Sequence, residues 1–202
     1  MRVCNTHRAY EKPDLETLPD DYLPRTNYRP MADCAEYLRR TPQVSWVEEG
    51  ETQGRAVTKF FRLVNREMIS SSMERTHIVT LVPPGAAHIY TLLGHAFRDS
   101  KSLCGALAYQ QSLVVDFFVK STGMGHANTL LVGQLPIPLE WEPSLVVRAL
   151  ALNCLTTHYA DLWSELYSPT FNTNTHTKPD PRLPDWSHLG PTWDWNTPLR
   201  SP

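Results

Sequence analysis

The chain has no run of about 18 apolar residues, so no segment of it reads as a membrane-spanning helix. Its first residues, MRVCNTHRAYEKPD, lack the apolar stretch of a secretory signal. Its four cysteines, Cys4, Cys34, Cys104 and Cys154, are scattered and form no Cys-x-x-Cys pair, which argues against a zinc ribbon or a disulfide scaffold. Free thiols in a cytoplasmic chain are the expectation. His88 and His95 stand at no zinc spacing with a Cys or carboxylate pair, and no Cys–His spacing suggests a catalytic pair. Charge is also in short supply, at 20% of residues, whereas hydrophobic content is an ordinary 41%. What remains is a chain of 202 residues, long enough for one domain with a proper core plus an extension.

The net charge of −2 conceals an asymmetry. Residues 1–53 carry seven basic against ten acidic side chains, residues 54–139 eight against four, and residues 140–202 four against seven. Only the middle is basic. A local positive field suits a phosphate backbone even in an acidic chain, although an excess of this size also falls within ordinary variation.

The order of elements predicts an α+β fold: a mixed sheet with packed helices, then a long helix and an irregular tail. Residues 1–42 read as a proline-rich arm with a short helix, Cys34 to Arg40, capped by Asp33 and stopped at Thr41-Pro42. Within the arm, Leu23 to Pro30 mixes arginines with a tyrosine and would lie on the domain's own surface, on a partner or on nucleic acid. Residues 43–139 form the expected core. Strands are predicted at Gln43–Val47, Val57–Ile69, Arg75–Val82 (apolar enough to be buried on both faces) and after the Pro83-Pro84-Gly85 turn, around Ala86–Tyr90. An exposed acidic loop at residues 48–54 separates the first two.

From Ser100, a candidate N-cap, the positions Leu103, Ala106, Leu107, Leu113, Val114, Phe117 and Phe118 recur at helical spacing. Lys120 to Gly125 is a turn that stops this helix, His126 to Leu131 a short ordered segment, and Leu135 to Pro138 an extended exit. Residues 140–168 read as one long packing helix capped by Ser144. Residues 169–202 form a Pro/Trp-rich tail with no core of its own, its tryptophans docking on the helices before it or on a partner.

Lys59, a candidate phosphate contact, interleaves with Arg62 and Arg66 in the second strand; the i, i+3, i+7 spacing of the three also fits a helical stripe. Arginine offers a planar fork that matches phosphate or guanine, so Arg62 and Arg66 are candidates for DNA contact or for a solvated sheet face. Arg75 is a candidate contact or the partner of an ion pair with Glu74. Arg98 and Lys101 flank a helix start, where phosphate binds favourably. Lys120, Ser121 and Thr122 sit in a glycine-rich turn that lets a backbone approach closely. His126 and Asn128 either extend that surface, since asparagine can read adenine, or tie the turn down through main-chain hydrogen bonds.

Two passages carry a resemblance. One is Arg62…Arg66, Glu74-Arg75-Thr76, an apolar strand and Pro83-Pro84-Gly85. The other is the helix, the Ser/Thr/Gly turn, Gly125-His126-Ala127-Asn128 and Leu135-Pro136-Ile137-Pro138. Together they resemble the target-recognition region of adenine-N6 DNA methyltransferases in restriction–modification and phage-defence systems, type IIG-like and BREX- or DISARM-type, and they are similar to type I specificity subunits. The likeness covers roughly residues 24 to 200. It implies duplex DNA as ligand, a catalytic methyltransferase subunit or domain as partner, and S-adenosylmethionine bound in that partner. The family's catalytic motif, Asn/Asp-Pro-Pro-Tyr/Phe, is missing here: Pro83-Pro84 is preceded by Val82 and followed by Gly85. A glycine loop for S-adenosylmethionine and a Pro-Asp…Glu-x-Lys nuclease pattern are missing too. The expected role is therefore sequence recognition without catalysis or cofactor in this chain. The alternative is an assembly subunit that does not touch DNA.

Overall fold

The computed structural model describes residues 13–24, 31–136, 142–178, 180–181, 183 and 185–200. The fold is mixed α+β, with a small three-stranded antiparallel sheet and several helices. Helix α1 (Cys34–Arg40) runs as its caps dictate. Asp33 accepts from Glu36 N–H, Arg39 and Arg40 occupy the last turn, and the chain leaves the helix at Thr41.

The sheet is shorter than the apolar runs suggest. Strands β1 (Arg62–Arg66), β2 (Val79–Val82) and β3 (Leu92–Ala96) lie in the order β2-β1-β3. Val57–Lys59 is a 3-10 turn, and Gln43 makes only an isolated bridge to Ala56, so the predicted strand at Gln43–Val47 does not form. Residues 86–90 after the proline turn are loop, and the strand begins at Leu92. Central β1 is buried on both sides: Leu63 pairs with Leu81 and His95, while Arg62 pairs with Val82 and Ala96. Edge strand β2 alternates buried and exposed residues, so only one of its faces is covered.

The inner face of the sheet, Leu63, Val79 and Leu81, packs in one cluster with α2 (Ser100–Gln110), α5 (Pro143–Asn153) and α6 (Ala160–Leu166). The expected helix from Ser100 through Phe118 is two helices. After Gln110 the chain bends by 64°, and Ser112 caps α3 (Leu113–Ser121) by accepting from Val115 N–H. The N-cap of α2 is Asp99, whose carboxylate accepts from Ser102 N–H, not Ser100. A five-residue helix, α4 (Thr129–Gly133), follows.

The long helix expected at 144–166 also divides. Glu142, not Ser144, caps α5; the helix ends at Asn153, and a 3-10 turn at Thr157–Tyr159 leads into α6. The tail joins the same core: Phe171, Trp186, Leu189 and Trp193 are buried among the α2, α5 and α6 side chains. Trp163 Nε1 donates to Gly190 O at 2.8 Å and Trp193 Nε1 to Cys154 O at 2.7 Å. The arm lies against this assembly through buried Leu18 and through Asp20, whose carbonyl accepts from Thr157 N–H at 2.8 Å. Arg25, Tyr28 and Arg29 of the arm, and Ile137 and Pro138 of the extended exit, lie outside the described residues. Among the described residues Cys34, Cys104 and Cys154 are free, and no single helix is long and apolar enough to cross a membrane.

Candidate nucleic-acid interface

Two loops lie side by side at one end of the sheet. Residues 67–78 join β1 to β2, and residues 121–128 join α3 to α4. A short antiparallel contact binds them: Ile69 N–H donates to Gly125 O at 3.0 Å, Ala127 N–H to Glu67 O at 2.7 Å, and Met68 bridges His126. Under them sits a second apolar cluster of Ile69, Val115, Val119, Ala127, Leu131 and Leu135. Buried Asn65, at the end of β1, ties both together by donating to Ala127 O at 2.9 Å and facing His95 Nε2 at 3.0 Å.

The predicted cations of this region act on the loops themselves. Lys120 Nζ donates to Met73 O at 2.9 Å. Arg66 Nε donates to Met68 O at 2.6 Å, and its Nη2 meets Met73 Sδ at 2.7 Å. Arg75 Nη2 donates to Gln111 O at 2.9 Å, and its Nε stands 3.5 Å from Asp116 Oδ1. Its acidic partner is therefore Asp116 and not Glu74, which is exposed. Asp116 Oδ1 also accepts from the N–H groups of Thr76 (2.8 Å) and His77 (2.7 Å), fixing the path into β2 from a buried position on α3. Asn128 caps α4 by accepting from Leu131 N–H, so the tying role holds for it. His126 is exposed, with Nδ1 3.9 Å from Glu67.

What this frame presents outward is a polar ridge. Ser71, Ser72, Ser121, Thr122, Gly123, Gly125 and His126 are exposed, interrupted by exposed Met68 and Met124, with half-buried Lys120 and Arg66 behind them. Gly123 has φ +67°, the left-handed region that lets the helix end in so tight a turn. The hydroxyls of Ser121 and Thr122 donate to the last carbonyls of α3, at 2.7 Å each. Lys120 uses one of its three ammonium protons inside the fold. Carboxylates at Glu67, Glu74 and Asp116 offset the local positive charge.

The remaining candidates stand elsewhere. Lys59 is exposed beside the acidic loop of residues 48–54. Arg98 and Lys101 are exposed at the start of α2, whose N-terminus is already occupied by the Asp99 carboxylate. Arg62 is only 3% exposed on the outer face of the sheet, so it is neither a DNA contact nor part of a solvated face. Burial lowers its pKa, as it lowers those of His77 and His95. Sequence reasoning missed the buried polar frame of Asn65, His77, Gln110, Asp116 and Asn153. Asp116 alone carried a signal, as a single charge inside the apolar run LVVDFFV.

No protein-family model, curated protein or solved structure matches this chain.

A further surface lies beside the ridge. Leu113, Val114, Phe117 and Phe118 are 71%, 73%, 73% and 44% exposed, because the bend after α2 turns this side of α3 away from the core. Leu130 on α4 is exposed as well. Among the described residues no group of three or more His, Cys, Asp or Glu side chains is placed to hold a metal ion.

Proposed function

We propose that this chain is a DNA target-recognition module, with a target-recognition-like fold, that gives sequence specificity to a partner adenine-N6 methyltransferase. The observation that carries this reading is the braced double loop. Residues drawn from distant parts of the sequence, Arg66, Arg75, Lys120, Ser121, Thr122, His126 and Asn128, converge on two abutting turns whose outer edge is glycine-punctuated and mostly polar, with Met68 and Met124 exposed among the hydroxyls. Such an edge can follow a groove closely, with Lys120 and Arg66 toward phosphate and His126 toward base edges. Methyl transfer and S-adenosylmethionine belong to the partner, which would hold the flipped adenine. Because Glu67, Glu74 and Asp116 temper the charge, binding by the chain alone is weak and the partner adds affinity.

The test is fluorescence anisotropy of the full chain on a random-sequence duplex across a salt series. The expected result is a dissociation constant on the order of 10 μM near 50 mM salt, rising with salt. Ser121→Asp with Thr122→Asp, two exposed changes that set negative charge on the ridge, should abolish binding, whereas Lys101→Ala should not. Equal binding by the double variant, or none by the wild type at low salt, defeats the reading. The apolar side of α3 favours a second role, assembly with a partner protein. Should the wild type ignore DNA and yet copurify with its methyltransferase, that role stands alone.

A further inference from the structure

The outer face of the sheet holds a cavity of about 790 Å³ between α1, the 3-10 turn after Ala56 and residues 86–90. Its floor is Arg62, 97% buried by its 3% exposure. The Nη2 of Arg62 donates to Ala86 O, while Nε is buried with no hydrogen-bond partner. Among the described residues no carboxylate lies within ion-pair distance of it, and no Asp or Glu lines the cavity. A buried guanidinium with no ion partner is costly, and an anion bound beside it would offset that cost. The other charge at the cavity has the same sign. Arg40 shares the single carboxylate of Glu36 with Arg39, which leaves an excess positive charge on that side.

The rest of the wall is chosen for a flat body. Tyr37 lies on one side, and Tyr90, 85% exposed, stands at the mouth. Gly94 of β3 lets the His88 ring lie directly on the strand: a Cβ there would come within 2.5 Å of His88 Nε2. The volume is within the range of small-molecule sites, and far beyond the needs of a bare phosphate. Arginine's fork fits phosphate, and tyrosine rings accept a stacked base.

We infer that this cavity is a mononucleotide site, with the phosphate on Arg62 and the base against the tyrosines. It lies apart from the double loop and does not depend on the function proposed for it.

Isothermal titration of the full chain with adenosine 5′-monophosphate, adenosine and inorganic phosphate tests this. The monophosphate should bind roughly tenfold or more tightly than adenosine, the usual effect of one charge-assisted hydrogen bond. Arg62→Met should remove that advantage without lowering thermal stability, because an apolar side chain of similar length replaces an uncompensated charge. Tyr90→Ser, an exposed change that leaves the fold intact, should weaken the monophosphate several-fold. Ser121→Asp with Thr122→Asp should leave nucleotide binding as it is, which separates this site from the DNA reading. The monophosphate should not displace duplex DNA, because Arg62 is too deeply buried to meet a duplex; displacement would put both ligands on one surface and overturn the separate site. Absence of binding at about 1 mM, equal binding of adenosine, or wild-type binding by Arg62→Met and Tyr90→Ser overturns the inference.

Discussion

Asp116 shows how much of the molecule rests on single buried polar residues. Its carboxylate is 5% exposed in residue terms and accepts two main-chain N–H groups while facing Arg75. Removing it strands two buried donors and half an ion pair at once, so Asp116→Ala should lower the unfolding free energy by about 3 kcal/mol. Urea denaturation checks this, and a loss under about 1 kcal/mol would show that water replaces the carboxylate. Its neighbour His77 predicts a pH dependence. Nε2 meets Gln110 Oε1 at 3.0 Å and Nδ1 is buried without a partner, so a second ring proton has no acceptor. Burial therefore lowers the pKa of His77, against smaller opposing effects of Gln110 and Asp116, and Arg75 adds to the lowering. His95 is lowered likewise by burial, then by His77 and His88. The unfolded chain takes up these protons near pH 6.5 and the folded chain only at lower pH. Stability is thus full above about pH 6.5 and declines as pH falls toward the depressed folded values, by up to about 1.4 kcal/mol per pH unit for each ring. Urea midpoints at pH 7.5 and pH 5.5 measure the fall, and His77→Gln should make it shallower, leaving the share of His95.

At the scale of elements, the bend between α2 and α3 decides which apolar residues face the core. Leu113 and Phe117 continue the spacing of Leu103 and Leu107 well enough to suggest one helix. Ser112 instead restarts the chain in a new direction and buries Val115, Asp116 and Val119. Ser112→Ala removes this cap and should lower stability by about 1 kcal/mol in urea, with no change expected if the bend is set by packing alone. The same contrast separates what was legible in the sequence from what was not. Helix α1 could be placed to the residue because its signals, Asp33 and Thr41-Pro42, are local. Strand β3 could not, since an exposed loop at residues 86–90 looks as apolar as the strand after it. The role of each cation was hidden for a similar reason. Arg66, Arg75 and Lys120 reach carbonyls and sulfur that only the tertiary path brings near, and Arg62 is buried in the central strand, between Val82 of β2 and Ala96 of β3. The candidate ridge was legible as a glycine-punctuated turn, but its second half, residues 67–78, became visible only through the contact of Ile69 with Gly125.

For the molecule as a whole, the two ends of the described chain meet at the break between α5 and α6. Arg200 Nη1 donates to Leu18 O at 3.1 Å and its Nη2 to Leu155 O at 2.5 Å, while its guanidinium lies 3.2 Å from the centre of the Trp195 ring. Leu199 N–H donates to Ala151 O at 2.8 Å. Phe171, Trp186 and Trp193 then fill the cluster that holds the inner face of the sheet. Truncating a large buried aromatic costs about 3–5 kcal/mol, against about 5–15 kcal/mol for the stability of a whole domain. Losing these three side chains together exceeds what the remainder can supply, so the tail is part of the core and not an appendage. A chain ending at Ser168 should show no cooperative urea transition and no near-ultraviolet dichroism, while Trp193→Ala in the full chain should stay folded but weaker by about 3–5 kcal/mol. The double loop stands on α3, which is braced by α2 and through it by this cluster. DNA binding should therefore vanish with the truncation and survive Trp193→Ala at low temperature. A truncated chain that unfolds cooperatively at the full-length midpoint would instead make the loops and sheet an independent unit, and the tail a separate docking element.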